Sequence, residues 1–159
     1  MKILFINAID PYAEVQYRFP QLGLGYLAAS LRKHFDGIQI RIVDRDVEKE
    51  LDAFSPDIVG ITAVSQNYGY VKKYAKTAKK RNLPVIIGGI HISALPQTMT
   101  EDMDVAVMGE GEQTIIELVD TLMDRLSTGI SKAFIDIKGV AFRDLDGTLH
   151  QTEPRPFIE

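Results

Sequence analysis

Asp57-Ile-Val-Gly-Ile-Thr-Ala63 is an apolar run of strand length, and Val85-Ile-Ile-Gly-Gly89 is a second. Between them Val71, Tyr74, Ala75 and Ala78 recur at helical spacing, and the pattern stops near Asn82, just before Pro84. Apolar runs without alternation predict strands buried on both faces, and a helix between two of them predicts a right-handed parallel crossover. The same unit repeats outward. Upstream, residues 3–7 read as a strand, and Leu24, Leu27, Ala28, Leu31 and Phe35 mark one helix face. Residues 38–43 form a further strand ending in Asp44-Arg45-Asp46, followed by a short helix over 47–54 that Ser55-Pro56 stops.

Downstream, one or two helical turns are expected around Pro96 within residues 94–100. Residues 105–108 read as a fifth strand, and Ile115, Leu118, Val119, Leu122 and Leu126 are the buried stripe of the last helix. The expectation is a doubly wound α/β fold, flavodoxin-like, with a five-stranded parallel sheet covered on both faces. Residues 139–143 and 148–152 flank Asp144-Leu-Asp-Gly147 and predict a C-terminal β-hairpin. Glu153-Pro-Arg-Pro-Phe-Ile-Glu159 is extended and reads as the start of a linker. We therefore divide the chain into an α/β domain over 1–135 and a hairpin with linker over 136–159.

The 159 residues are 45% hydrophobic and 25% charged, ordinary for a globular domain. With 18 Lys and Arg against 22 Asp and Glu the formal net charge is −4, which disfavours nucleic acid as a partner because phosphate contacts need cations. There is no cysteine, so this chain alone builds no thiolate metal site, iron–sulfur cluster or thiol nucleophile. The apolar start ends at Asp10-Pro11, too short for a membrane span, and a cytoplasmic location is expected.

In such folds ligands bind outside the carboxyl ends of the strands, so the residues after each strand carry the function. Those loops hold Asp10 and Tyr12; Thr62, Ser65 and Asn67; Gly88, Gly89, His91 and Ser93; and Gly109, Glu110, Gly111 and Glu112. Glycines and hydroxyls dominate, suiting a ligand that approaches the backbone closely. Gly23-Leu-Gly25-Tyr-Leu-Ala28 fits the dinucleotide fingerprint in letters, but residues 8–22 separate it from the preceding strand, whereas the fingerprint must open the helix directly. No phosphate-binding P-loop motif is present. Thr62 and Glu110 stand where a two-component receiver needs Asp and Lys, and residues 8–22 do not form the short hydroxyl-rich loop of a flavodoxin.

Thr62-Ala-Val64 followed by Gly88-Gly89 resembles the S-x-L and G-G signatures of cobalamin-binding domains. Pro20-Gln-Leu-Gly-Leu-Gly-Tyr-Leu-Ala-Ala29, Pro56-Asp-Ile-Val-Gly-Ile-Thr62, Val85-Ile-Ile-Gly-Gly-Ile-His91 and Gly109-Glu-Gly-Glu112 are similar to one branch, the N-terminal cobalamin domains of radical S-adenosylmethionine enzymes. The resemblance implies a slot holding the nucleotide tail of cobalamin and a downstream radical S-adenosylmethionine domain as partner. S-adenosylmethionine, a [4Fe-4S] cluster and the small-molecule substrate would belong to that domain. The parent would be a methyltransferase or an oxidative cyclase, and this piece would not be catalytic alone. Thr62, Ser65, Gly88, Gly89, His91 and Ser93 would contact the tail and corrin edge, with Gly109, Glu110, Gly111 and Glu112 on the rim and residues 10–20 beneath the corrin. Many relatives carry D-x-H-x-x-G after the first strand, whose His ligates cobalt; here Pro11-Tyr12-Ala13-Glu14 follows Asp10 with no His.

Plainer roles stand beside these. His91 is as readily a loop histidine bonded to backbone, and Ser65 or Asn67 a helix cap. His34 and His150 read as surface residues, and Lys72, Lys73, Lys76, Lys79, Lys80 and Arg81 as a solvated helix face. Glu112 complements a positive helix end. The rival functions are a degenerate docking domain with a filled slot, or a flavodoxin-like module for a flavin or other nucleotide.

Overall fold

A computed structural model describes residues 1–10, 12, 21–62, 64–128 and 134–158. Strands β1 (Lys2–Asn7), β2 (Gln39–Val43), β3 (Ile58–Thr62), β4 (Val85–Gly88) and β5 (Val105–Val107) alternate with helices α1 (Leu22–His34), α2 (Val47–Phe54), α3 (Tyr68–Lys79), α4 (Ile90–Ala94) and α5 (Thr114–Thr128). Two further strands, β6 (Val140–Arg143) and β7 (Leu149–Gln151), complete one sheet in the order β2-β1-β3-β4-β5-β6-β7. The first five are parallel. The sheet thus has seven strands where five were expected. The predicted hairpin is not an appendage, because β6 pairs antiparallel with β5 through Val105↔Phe142, Ala106↔Ala141 and Val107↔Val140.

Side-chain parity assigns the two faces. Ile3 and Phe5 of β1, Ile58 of β3, Ile86 of β4, and Val105 and Val107 of β5 pack with Leu24, Ala28 and Leu31 of α1 and Ile115, Leu118, Val119 and Leu122 of α5. The opposite parity, Leu4, Ile6, Val59, Ile61, Val85, Ile87 and Ala106, packs with α2, α3 and α4 through residues such as Leu51, Val71, Ala75 and Ile92. The four inner parallel strands β1, β3, β4 and β5 are therefore apolar on both sides, which explains their unbroken runs in the sequence, whereas the edge strand β2 exposes Gln39, Arg41 and Ile42.

Around Pro96 the structure differs from expectation. The helical segment begins earlier, at Ile90, and Pro96–Thr98 forms a separate turn of 3-10 helix. Gly89 allows this. Its φ of 101° reverses the chain out of β4, after which Ser93 N–H closes the first turn on Gly89 O at 3.1 Å. Among the described residues no helix is long and apolar enough to cross a membrane.

Candidate functional site

β1 is flanked by β2 on one side and β3 on the other, so the connections leaving β1 and β3 run in opposite directions and open a crevice at the carboxyl edge of the sheet. A cavity of about 220 Å³ occupies that crevice on the α1/α5 face. Its floor follows from register. Phe5, Gly60 and Ile86 lie side by side across β1, β3 and β4; one pleat nearer the carboxyl edge, Thr62 lies beside Gly88. Gly60 leaves room for Phe5, since a β-carbon there would stand 2.6 Å from Cδ1 of the ring. A β-carbon at Gly88 would meet nothing within 4 Å, so at this position the slot is open space above bare backbone.

Leu24 and Leu27 of α1 and Ile115 of α5 form the side walls, and Val107 of β5 closes one flank. Gly111 keeps α5 close to α1: a β-carbon there would press on Leu27 Cδ2 at 3.1 Å and Val107 Cγ1 at 3.3 Å. Among the described residues the polar side chains of the lining belong to Gln21, Thr62, Glu110 and Glu112, at the ends of elements around the mouth.

Seven sequence-predicted site residues therefore line one cavity: Thr62, Gly88, Gly89, Gly109, Glu110, Gly111 and Glu112. Six do not. Ser93 stands directly behind the mouth: its Oγ accepts Gly109 N–H at 3.1 Å and donates to Gly89 O at 3.0 Å, tying the β4 and β5 turns together. Asp10 accepts Tyr12 N–H at 2.9 Å and the Tyr70 hydroxyl at 3.2 Å, and Tyr12 projects into solvent. Residues 11 and 13–20 of the loop read as lying beneath the corrin are outside the described residues, as is Ala63.

His91 lies on the other face of the sheet. It is buried and stacks on Tyr68 with ring centroids 3.8 Å apart, and its Nδ1 and Nε2 lie 3.0 Å from Ser65 Oγ and 3.1 Å from Thr98 Oγ1. Thr98 spends its one hydroxyl proton on Leu95 O at 2.7 Å, so it accepts from His91 Nε2–H; Nδ1 then accepts from Ser65. Burial pushes the neighbouring Tyr68 phenol upward, countered by its hydrogen bond to Thr98 O. Asn67 is buried at the end of the 3-10 turn Ser65–Asn67. It precedes α3 without a side-chain capping bond, and the Ser65 hydroxyl is committed to His91, so neither caps α3 as expected.

Sequence reasoning missed Phe5, Gly60, Leu24, Leu27, Ile86, Val107 and Ile115 as cavity residues. Gly60 carried a readable signal, a glycine inside an otherwise large-residue buried strand. It also missed the tail. The Arg155 guanidinium donates to Thr114 Oγ1 at 2.8 Å, Gln113 Oε1 at 3.3 Å and Glu117 Oε1 at 2.7 Å, and Ile158 N–H donates to Glu110 Oε2 at 2.7 Å. Glu110 is thus at once cavity lining and tail anchor.

A family model described as the B12 binding domain matches residues 11–119. An uncharacterized methyltransferase of Pyrococcus horikoshii is 37% identical over 175 residues, covering 100% of this chain and 37% of the relative. The anaerobic magnesium-protoporphyrin IX monomethyl ester cyclase of Rubrivivax gelatinosus is 30% identical, with 100% and 31% covered. Among solved structures, the cobalamin-dependent S-adenosylmethionine radical enzyme OxsB with aqua-cobalamin and S-adenosylmethionine bound superposes with a TM-score of 0.73 at 17% identity, over 98% of this chain and 22% of that one. This chain belongs to the B12-binding domain family. The resemblance drawn from Thr62, Gly88-Gly89 and their neighbours is borne out at that level, and the chain spans roughly a third of the length of the curated relatives it matches.

Proposed function

We propose that this chain is the cobalamin-holding module of a cobalamin-dependent radical S-adenosylmethionine enzyme, a methyltransferase or cyclase, and that residues 136–159 lead toward its catalytic domain. The observation that carries the reading is the slot floored by Gly60 and Gly88 at the β1/β3 switch point. Its residues fit the group: bare backbone and apolar walls accept a flat base, and polar side chains gather where a corrin edge would meet the protein. The names of the relatives support the parent's chemistry, and an open cavity argues against a degenerate domain whose slot has filled.

Bound cobalamin would supply a cobalt centre able to carry a methyl group. Thr62, Gly88 and Gly89 would border the tail, Gly109, Glu110, Gly111 and Glu112 the rim, and Asp10 and Tyr12 the exit of β1. Ser65, Asn67, His91 and Ser93 would shape these loops from behind. The chain has three histidines. His91 is bonded on the far face, His34 is in the last turn of α1, and His150 lies on β7 beside Asp144. None lines the slot, so we infer that no histidine of this chain ligates the cobalt.

Equilibrium dialysis against hydroxocobalamin tests the reading. The purified chain is expected to retain pigment with the absorption of cobalamin whose base is off the cobalt. Gly88→Phe is expected to abolish retention. Its side chain would enter open space, whereas a substitution at Gly89 would also strain a left-handed backbone. Wild-type protein that retains no cobalamin, or retains flavin in its place, would overturn the proposal.

A further inference from the structure

We infer that the slot selects among cobamides by their lower base, accepting a benzimidazole in preference to a purine or a phenol. This rests on the cobalamin reading above. Size is the first observation. An apolar cavity of about 150 Å³ accepts benzene, with six ring atoms; scaling to the 220 Å³ found here gives space for roughly nine, a fused bicycle. A single phenolic ring would leave part of the slot void and forfeit contacts along the walls.

Polarity separates the two bicycles. Phe5, Gly60 and Ile86 lie two residues deeper along the strands than Thr62 and Gly88, about 7 Å from the mouth. The wall side chains are Leu24, Leu27 and Ile115, and among the described residues neither these nor the floor side chains bring a donor or acceptor. The backbone amides of β3 and β4 are taken up by the sheet. A benzimidazole brings two ring nitrogens, one of them bonded to the sugar. Adenine brings those and three further polar sites: two ring nitrogens and an exocyclic amine. At the floor those three would leave water without gaining a partner, the costly half of the hydrogen-bond balance.

The test compares benzimidazolyl-, adeninyl- and phenolyl-cobamides by equilibrium dialysis against the purified chain, read by corrin absorbance. The adeninyl form is expected to bind at least about tenfold more weakly than the benzimidazolyl form, and the phenolyl form severalfold more weakly. A second readout needs no cobalt: free 5,6-dimethylbenzimidazole, but not adenine, should raise the thermal midpoint of the protein. Leu27→Gln, a change of similar volume at a half-buried wall position, places a donor and an acceptor in the slot and should narrow the gap. Equal retention of the three cobamides, or tighter binding of adenine, would sink the selection while leaving the cobalamin reading intact. Retention of none would remove both.

Discussion

The ring of Phe5 fills the space that a side chain on Gly60 would need, with Cδ1 and Cε1 standing 2.6 and 2.7 Å from where a β-carbon would sit. Two residues on adjacent parallel strands thereby set the depth of the slot: one gives up its side chain and the other lays an aromatic floor.

Gly60→Ala forces Phe5 to move toward the cavity. Overpacking at such a site costs about 1–3 kcal/mol. We expect a lower urea midpoint with an unchanged slope, together with weaker cobalamin retention. A variant as stable as the parent would show that Phe5 yields freely.

Ser93→Ala removes the hydroxyl that accepts from Gly109 N–H and donates to Gly89 O. The expected loss is about 1 kcal/mol of stability. Amide exchange at Gly109 should accelerate more than exchange within β4, because the bridge is lost while the ladder remains.

His91→Phe keeps an aromatic ring to stack on Tyr68 but removes both ring-nitrogen hydrogen bonds, to the Ser65 and Thr98 hydroxyls. Denaturation should report a loss of roughly 1–3 kcal/mol. Cobalamin affinity should stay close to that of the parent, because the ring lies across the sheet from the slot. A collapse of affinity in a protein of intact stability would place His91 in the binding site after all.

The hairpin carries a pH signature. The hydrogen bond from the His150 ring, 2.6 Å from Asp144 Oδ2, together with Asp146 and Thr148 N–H, lowers the Asp144 carboxyl from 3.8 to about 2. A depressed carboxyl contributes stability above its unfolded pKa and loses it as pH falls through the folded one. The turn should therefore hold at pH 4 and loosen between 4 and 2. Carboxyl-detected NMR should find the Asp144 midpoint rising toward 3.8 in His150→Gln. An unmoved midpoint would remove His150 as the cause.

The doubly wound core was legible because residues 3–7, 58–62 and 85–88 are apolar without alternation, a pattern that only burial on two faces produces. The helix over 47–54 was equally plain, bounded by Asp46 and Ser55-Pro56. The attachment of β6 to β5 was not, since more than thirty residues separate Val105 from Phe142 and no local pattern encodes the pairing. His91 was read as a loop residue at the strand ends because the turn at Gly89 starts a helix at once. Which face that short helix presents depends on packing with Tyr68 and Thr98, distant in sequence. Glu110 was legible as rim, while its bond to Ile158 required the tail to double back along α5.

That fold-back has a kinetic consequence. Arg155 and Ile158 are fastened to the first turn of α5 and to Glu110, within one residue's reach of the cavity mouth. Any polypeptide continuing from this point starts its diffusional search at the mouth instead of in bulk solution. A short tether holds its cargo at an effective concentration in the millimolar range. Encounter between slot and cargo then becomes first order, independent of how dilute the protein is.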